Sequence, residues 1–288
     1  MHRKVAFIIG KKRLKRNVAF TISIYILVAF SIIAIFSPVL TPYDPYTITG
    51  TPLEKPSMGH ILGTNDLGQD IFSRLIYGTG ITLFVGFVGG GLAILIGTFV
   101  GIVSGYYGGV IDEFITRGID LLMVIPMFPL LLVLASFLEV SMTRISILMG
   151  ILGWTMFARV IRSQVLSLSE YNFIYGAKAM GASDSYIMIK HILPNILPLI
   201  IVKFVFAVQT YMIMGVGLGF LGLGDPTTIS WGQMINRAYT NGGFALGMWW
   251  WLLPPGLIIA FLSIALSLGG YSLEDKINPR LRREIEIS

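Results

Sequence analysis

Apolar positions along this chain come in blocks of about 20 residues, the pattern of helices that cross a bilayer rather than of amphipathic or alternating elements. The blocks predict six spans, at residues 18–36, 81–104, 119–138, 145–160, 195–218 and 249–268. The first follows a basic stretch, as a secretory signal would. Its apolar run is longer than a signal core and ends at Ser37-Pro38 without a small-residue cleavage site, so it reads as a retained span. Between the blocks, residues 41–74 are polar and rich in turns, with Pro42, Pro45, Pro52 and Pro56 beside Asp44, Glu54, Asp66 and Asp70. Residues 106–117 read as a short connection and 222–247 as a loop.

One interruption has a different character. Residues 170–195, EYNFIYGAKAMGASDSYIMIKHILPN, mix polar, aromatic and small side chains at helical spacing. A helix is expected over 170–180, with Tyr171, Ile174, Tyr175 and Lys178 on one face. Gly181-Ala182-Ser183 breaks it, and Ser183-Asp184 can cap a second helix running to His191. Pro194 is expected to stop that helix, and with Pro198 to bend the chain into the fifth span. An amphipathic helix lying on lipid is the competing reading. Gly176, Ala177, Ala179, Gly181 and Ala182 oppose it, since small residues anchor poorly in lipid and fit closely into a protein groove.

Charge fixes the orientation and supports the weakest span. The fourth block is short and contains Thr155 and Arg159. With six spans and a cytoplasmic N-terminus, 16 of the 21 Lys and Arg fall on cytoplasmic segments and 4 on outer ones, with Lys203 early in the fifth span. Omitting the fourth span reverses this bias against the positive-inside rule. The layout is then a basic cytoplasmic tail at 1–17, a first span at 18–36 and an extracytoplasmic loop at 37–78. A membrane core follows at 79–270, including a cytoplasmic loop at 161–194, and then a cytoplasmic tail at 271–288. The fold class expected is an all-α integral membrane protein with both termini cytoplasmic. The run Trp249-Trp250-Trp251 fits an interfacial aromatic belt.

Composition narrows the chemistry. Charged residues make up 12% of the chain and hydrophobic ones 55%, so a soluble domain is excluded. The net charge of +6 sits beside apolar blocks, which is membrane topology rather than a nucleic-acid surface. There is no cysteine, the three histidines lack metal-ligand spacing, and no phosphate-binding G-x-x-x-x-G-K-[ST] motif occurs. No paired carboxylates lie in the spans, which leaves an intramembrane enzyme without machinery. Asp120 and Lys203 lie near span ends, where snorkelling or capping accounts for them. Gln209 is deeper, a candidate either for a translocation path or for a bond to a neighbouring helix. Gly97, Gly101 and Gly105 repeat every four residues and predict a face for close helix packing.

The cytoplasmic loop resembles that of the membrane subunits of binding-protein-dependent ABC importers. Their signature has E-A-A, three residues, Gly, nine residues, then I-x-L-P. Gly181, Leu193 and Pro194 match in register. Tyr175 and Gly176 replace Glu and Ala, Ala177 matches, and His191 stands for Ile. His191-Ile-Leu-Pro-Asn195 is similar to the dipeptide, oligopeptide and nickel branch. So are His60-Ile-Leu-Gly-Thr-Asn-Asp-Leu-Gly-Gln-Asp70, Phe220-Leu-Gly-Leu-Gly224, Ser230-Trp231-Gly232 and Asn278-Pro279-Arg280-Leu281-Arg282, in that order.

This resemblance implies a type I importer permease fold with a cytoplasmic coupling helix, in the plasma membrane of a prokaryote. It implies four kinds of partner: a second homologous permease, two cytoplasmic ATP-binding subunits, an extracytoplasmic solute-binding protein and lipid. No cofactor is expected in this chain, ATP and Mg being held by the ATPase partners. Tyr171, Tyr175, Ala177, Lys178, Gly181, Ala182 and Ser183 are the ATPase-coupling residues it implies. The function expected is half of an import path for a di- or oligopeptide. The alternative is a secondary transporter or channel independent of ATPases, which would need coupling residues at mid-membrane.

Overall fold

The computed structural model of the protein describes residues 2–137 and 141–277, with side chains for residue 18, 20–137 and 141–276. The motif at 278–282 and most of the C-terminal tail lie outside the described residues. Among those residues all regular structure is helical, apart from one isolated bridge between Thr64 and Asp70.

The chain opens with α1 (His2–Leu40) and reaches α2 (Ile71–Tyr107) through the outer loop. Next come α3 (Gly109–Val124), α4 (Met127–Phe137), α5 (Met142–Leu152) and α6 (Trp154–Ser169). Two short helices, α7 (Asn172–Ala179) and α8 (Asp184–Ile187), precede α9 (Leu193–Phe220), α10 (Trp231–Thr240) and α11 (Trp249–Ile277). Five segments are long and apolar enough to span: Phe20–Leu40, Ile71–Tyr107, Met142–Ser169, Asp184–Phe220 and Trp249–Lys276. The pair α3 and α4 makes a sixth, bent by 79°.

Helix α2 is the central pillar and packs against α1, α5, α6 and α9. Its glycines permit this. A Cβ at Gly97 would lie 2.7 Å from Phe157 Cβ and Trp154 O, and one at Gly101 2.7 Å from Ala158 O. At Gly105 it would lie 2.8 Å from Arg162 O and Val165 Cβ. The glycine face is therefore a seam along which α6 lies directly on α2.

Several expected boundaries move. The connection expected at 106–117 is mostly helix, because Gly108 (φ +63) and Gly109 (φ +54) turn the chain within two residues. The third span is not one helix: Ile125 precedes Pro126 and is held extended (φ −81, ψ 120), which ends α3 there. The fourth is longer than its hydropathy suggested, and the loop assigned from 161 begins only after Ser169. It breaks at Gly153, whose Cβ would overlap the Tyr211 hydroxyl of α9. The loop at 222–247 contains α10, begun by a Ser230 cap on Gln233 N. Trp231 on α10 is fully buried and donates from Nε1 to Leu75 O at 3.0 Å. Trp250 and Trp251 are buried in the same core, so only Trp249 is exposed as an interfacial residue would be.

The outer loop is folded onto the start of α2. Asp70 caps that helix, accepting from Ser73 N at 2.7 Å, and pairs with buried His60 Nδ1 at 2.9 Å. Arg74 donates to Pro45 O and Gln69 Oε1, and Gln69 in turn donates to Tyr46 O at 2.8 Å. Residues 60–74 thus hold the loop as a platform on the outer end of α2.

Candidate functional site

The cytoplasmic helix pair is built by local signals. Helix α6 ends at Ser169, Tyr171 is extended (φ −81, ψ 143), and α7 starts one residue later. Helix α7 closes with Gly181 at φ +80, where Gly181 N donates to Lys178 O and Ala182 N reaches back to Ala177 O at 3.1 Å. That six-to-one bond around a left-handed glycine is a Schellman end. Half-buried Ala182 then packs on the apolar cluster beneath, and Ser183 caps α8 by accepting from Tyr186 N.

No proline stop follows. Residues Met188–Ile192 form a π turn in which Leu193 N–H reaches back five residues to Met188 O. The ladder has therefore shifted register before Pro194, which can donate nothing. The helix continues through Pro198 to Phe220. The π turn has a packing cause. Ile187 and Ile192 are five apart, which would point them about 140° apart on an α-helix, yet both are fully buried together with Ile196. The wide turn places them on one side.

Two faces result. Ile174, Ala177, Ile187, Ile192 and Ile196 pack inward on Tyr106, Ile161 and Val165. Tyr171, Phe173, Tyr175, Met180, Tyr186 and Ile189 point outward, exposed. Of the residues expected to couple, Tyr171, Tyr175, Lys178, Gly181 and Ser183 lie exposed and Ala182 is half-buried. Ala177 differs from the others: it is 4% exposed and its methyl group faces this chain's own core. Ile174 likewise turns inward, away from the face it was expected to share with Tyr171 and Tyr175. Gly176 lies mid-helix on the exposed side, with nothing of this chain within 4 Å of where a Cβ would sit.

Polar links tie this pair to the spans. Tyr106, near the end of α2, donates to Asp184 Oδ1 at 2.7 Å. Lys178 Nζ sits 4.6 Å from the centre of the same Tyr106 ring. Close by, Arg162 of α6 clasps Asp112 of α3 through two guanidinium nitrogens, and Asp112 also accepts from Ser104. Arg159 pairs with Asp120, and Lys203 lies 5.9 Å from the Phe206 ring centre. Gln209 is half-buried on α9. It exchanges hydrogen bonds of 2.8 and 3.0 Å with Ser267 of α11. Sequence reasoning missed Tyr106, whose partner lies 78 residues away. It also missed the outward Phe173, Met180, Tyr186 and Ile189, large apolar or aromatic side chains in an otherwise polar and small-residue stretch, which was the available signal. Among the described residues no group of three or more His, Cys, Asp or Glu could hold a metal ion.

Comparison with known proteins adds the following. A family profile described as "binding-protein-dependent transport system inner membrane component" matches residues 97–283. Another, described as "N-terminal TM domain of oligopeptide transport permease C", matches 11–56. The chain is 35% identical over 273 residues to the dipeptide transport system permease protein DppC of Alkalihalophilus pseudofirmus, covering 94% of this chain and 89% of the relative. It is 33% identical to the DppC of Haemophilus influenzae, covering 93% of each. It is 34% identical to the oligopeptide transport system permease protein OppC of Bacillus subtilis, covering 94% and 88%. A solved structure of the MetNI methionine ABC transporter, in an inward-facing conformation, superposes with a TM-score of 0.55 at 20% identity. It covers 70% of this chain and 97% of that one. Identity that low is a likeness of fold.

Proposed function

The chain belongs to the family of binding-protein-dependent transport system inner membrane components, a multi-pass transport subunit rather than an enzyme, and from that premise we propose that it forms half of the translocation path of an ATP-driven importer of di- or oligopeptides. A second, related permease would supply the other half. An extracytoplasmic binding protein would deliver the solute to the outer platform, and two ATPases, holding ATP and Mg, would dock on α7 and α8. Their closure would shift the permease pair between outward- and inward-open states, each favoured by a different partner state. The peptide assignment rests on the DppC and OppC relatives, which match over nearly the whole chain.

The observation that carries the docking reading is Gly176. A glycine inside a helix costs about 1 kcal/mol against alanine. Nothing of this chain comes within 4 Å of its missing Cβ, so its own fold does not require the glycine. A partner surface pressed against α7 does. Around it, the exposed aromatic side chains of Tyr171, Phe173, Tyr175 and Tyr186 have the character of an interface centre rather than of a solvated loop. The alternative, a transporter without ATPases, leaves the exposed aromatic face of α7 and α8 without a partner.

The test is uptake of labelled dipeptide into vesicles containing both permeases, the ATPases and the binding protein. Gly176→Phe is expected to leave the chain folded in the membrane while ATPase subunits no longer co-purify and uptake stops. Uptake that persists without ATPases, or full ATPase association of the Phe variant, overturns the reading.

A further inference from the structure

Helix α2 runs unbroken for 37 residues, about 55 Å at 1.5 Å per residue, so it reaches from one membrane face to the other. At its outer end Asp70 and Arg74 hold the folded loop. At its inner end Tyr106 is 7% exposed and touches both halves of the cytoplasmic pair. Its hydroxyl donates to Asp184 on α8 and its ring carries Lys178 of α7. Helix α8 also runs on through the π turn into α9, but toward α2 and α6 the packing of the pair is otherwise apolar, through Ile174, Ala177, Ile187 and Ile192 on Ile161 and Val165. Apolar packing is non-directional and lets helices slide. A hydrogen bond with a defined angle does not.

We propose that Tyr106 is a positioning residue for transport: it locks the ATPase-docking helices to α2, so that their movement turns the pillar that carries the outer platform. The proposal rests on the importer reading above and adds a residue that passes force from the docking helices to α2, beside the direct run of α8 into α9. Asp184 is the fixed partner and Lys178 the second hold on the same ring. Seating an ATPase on α7 and α8 does not require this bond, because the Tyr106 hydroxyl is on their inward side. Coupling does.

The experiment uses the full complex in proteoliposomes. It measures peptide import, ATP hydrolysed per peptide imported, and ATPase subunits bound per permease. Tyr106→Phe keeps the ring and loses the donor, while Asp184→Ala loses the acceptor. Each is expected to slow import about 3- to 10-fold, the worth of one ordinary net hydrogen bond. Each raises the ATP spent per peptide at unchanged ATPase stoichiometry. Tyr106→Phe combined with Asp184→Ala is expected to be no worse than either alone, since both remove the same bond. Asp184→Asn, whose side-chain oxygen still accepts, restores most of the import. Wild-type coupling in both single variants overturns the proposal. So do losses that multiply in the double variant, and losses matched by fewer bound ATPases. Import by the unmutated complex without ATP defeats the importer reading itself, a result distinct from any behaviour of the Tyr106 variants.

Discussion

A methyl group placed at Gly101 tests the seam between α2 and α6. An alanine Cβ there would sit 2.7 Å from Ala158 O and 2.8 Å from Ile161 Cβ, about 0.7 Å inside the 3.4 Å at which ordinary contact begins. Both obstacles belong to the backbone or its first carbon, so no side-chain rotation relieves them. Nor can α6 tilt away at one point, because Gly97 and Gly105 make the same approach one turn to either side. Overpacking of this kind costs about 1–3 kcal/mol, and a seam fixed on both sides belongs at the upper end. Helix propensity returns about 1 kcal/mol, leaving a net loss of about 2 kcal/mol. Gly118→Ala is the matched control: it is also helical, has nothing within 4 Å, and should gain the propensity term alone. The assay is unfolding of each purified variant in detergent, followed by helical circular dichroism. The expectation is that Gly101→Ala is destabilised by about 2 kcal/mol and Gly118→Ala stabilised by up to about 1 kcal/mol. If Gly101→Ala unfolds no more easily than Gly118→Ala, the seam is not in contact and the packing argument is wrong.

Two other sites give sharp expectations. Gly153→Ala would collide with the Tyr211 hydroxyl in a buried notch, at a cost of about 2 kcal/mol. Tyr211→Phe in the same chain should recover part of that loss, which a thermal unfolding series of the four combinations would reveal. Gln209→Leu removes an interhelical bond to Ser267, so stability should fall by about 0.6 kcal/mol, and with that bond as its role peptide uptake should hold near wild type. A collapse of uptake at unchanged stability would return Gln209 to the translocation path.

Much of the architecture was visible in the pattern of residues. Blocks of apolar sequence and the bias of Lys and Arg pointed to the spans, even where Thr155 and Arg159 weakened the fourth. Gly181 marked the break between the cytoplasmic helices because a left-handed residue ends α7 there. What escaped were features decided by distant partners. Pro126 is compatible with either a kinked span or a broken one, and the choice of a 79° bend depends on the neighbours of α3 and α4. Pro194 read as a stop because the widened turn before it depends on Ile187 and Ile192 both seeking the core formed by α2 and α6. Ala177 is small enough for either face, and Ile174 beside it decided which way α7 rolled. Tyr106 gave no local signal, since its partner lies 78 residues away, whereas Gln209 stood out as a deep polar residue but its partner Ser267, 58 residues on, did not.

The π turn at Met188–Ile192 also bears on how such chains can diverge. It is one residue longer than an α-helical turn closing the same gap, and its flanks face the core as though that residue were not there. A permease lacking the extra residue would close the segment as plain α-helix, with the isoleucine pair four apart and the outward aromatic face still aimed at the cytoplasm. Length can therefore drift by one here without a change of phase. A residue gained or lost inside α7 would instead rotate half of the docking surface by about 100°. The π turn at Met188–Ile192, and not α8 before it, is the place where an alignment of such chains can absorb a gap without a change of phase.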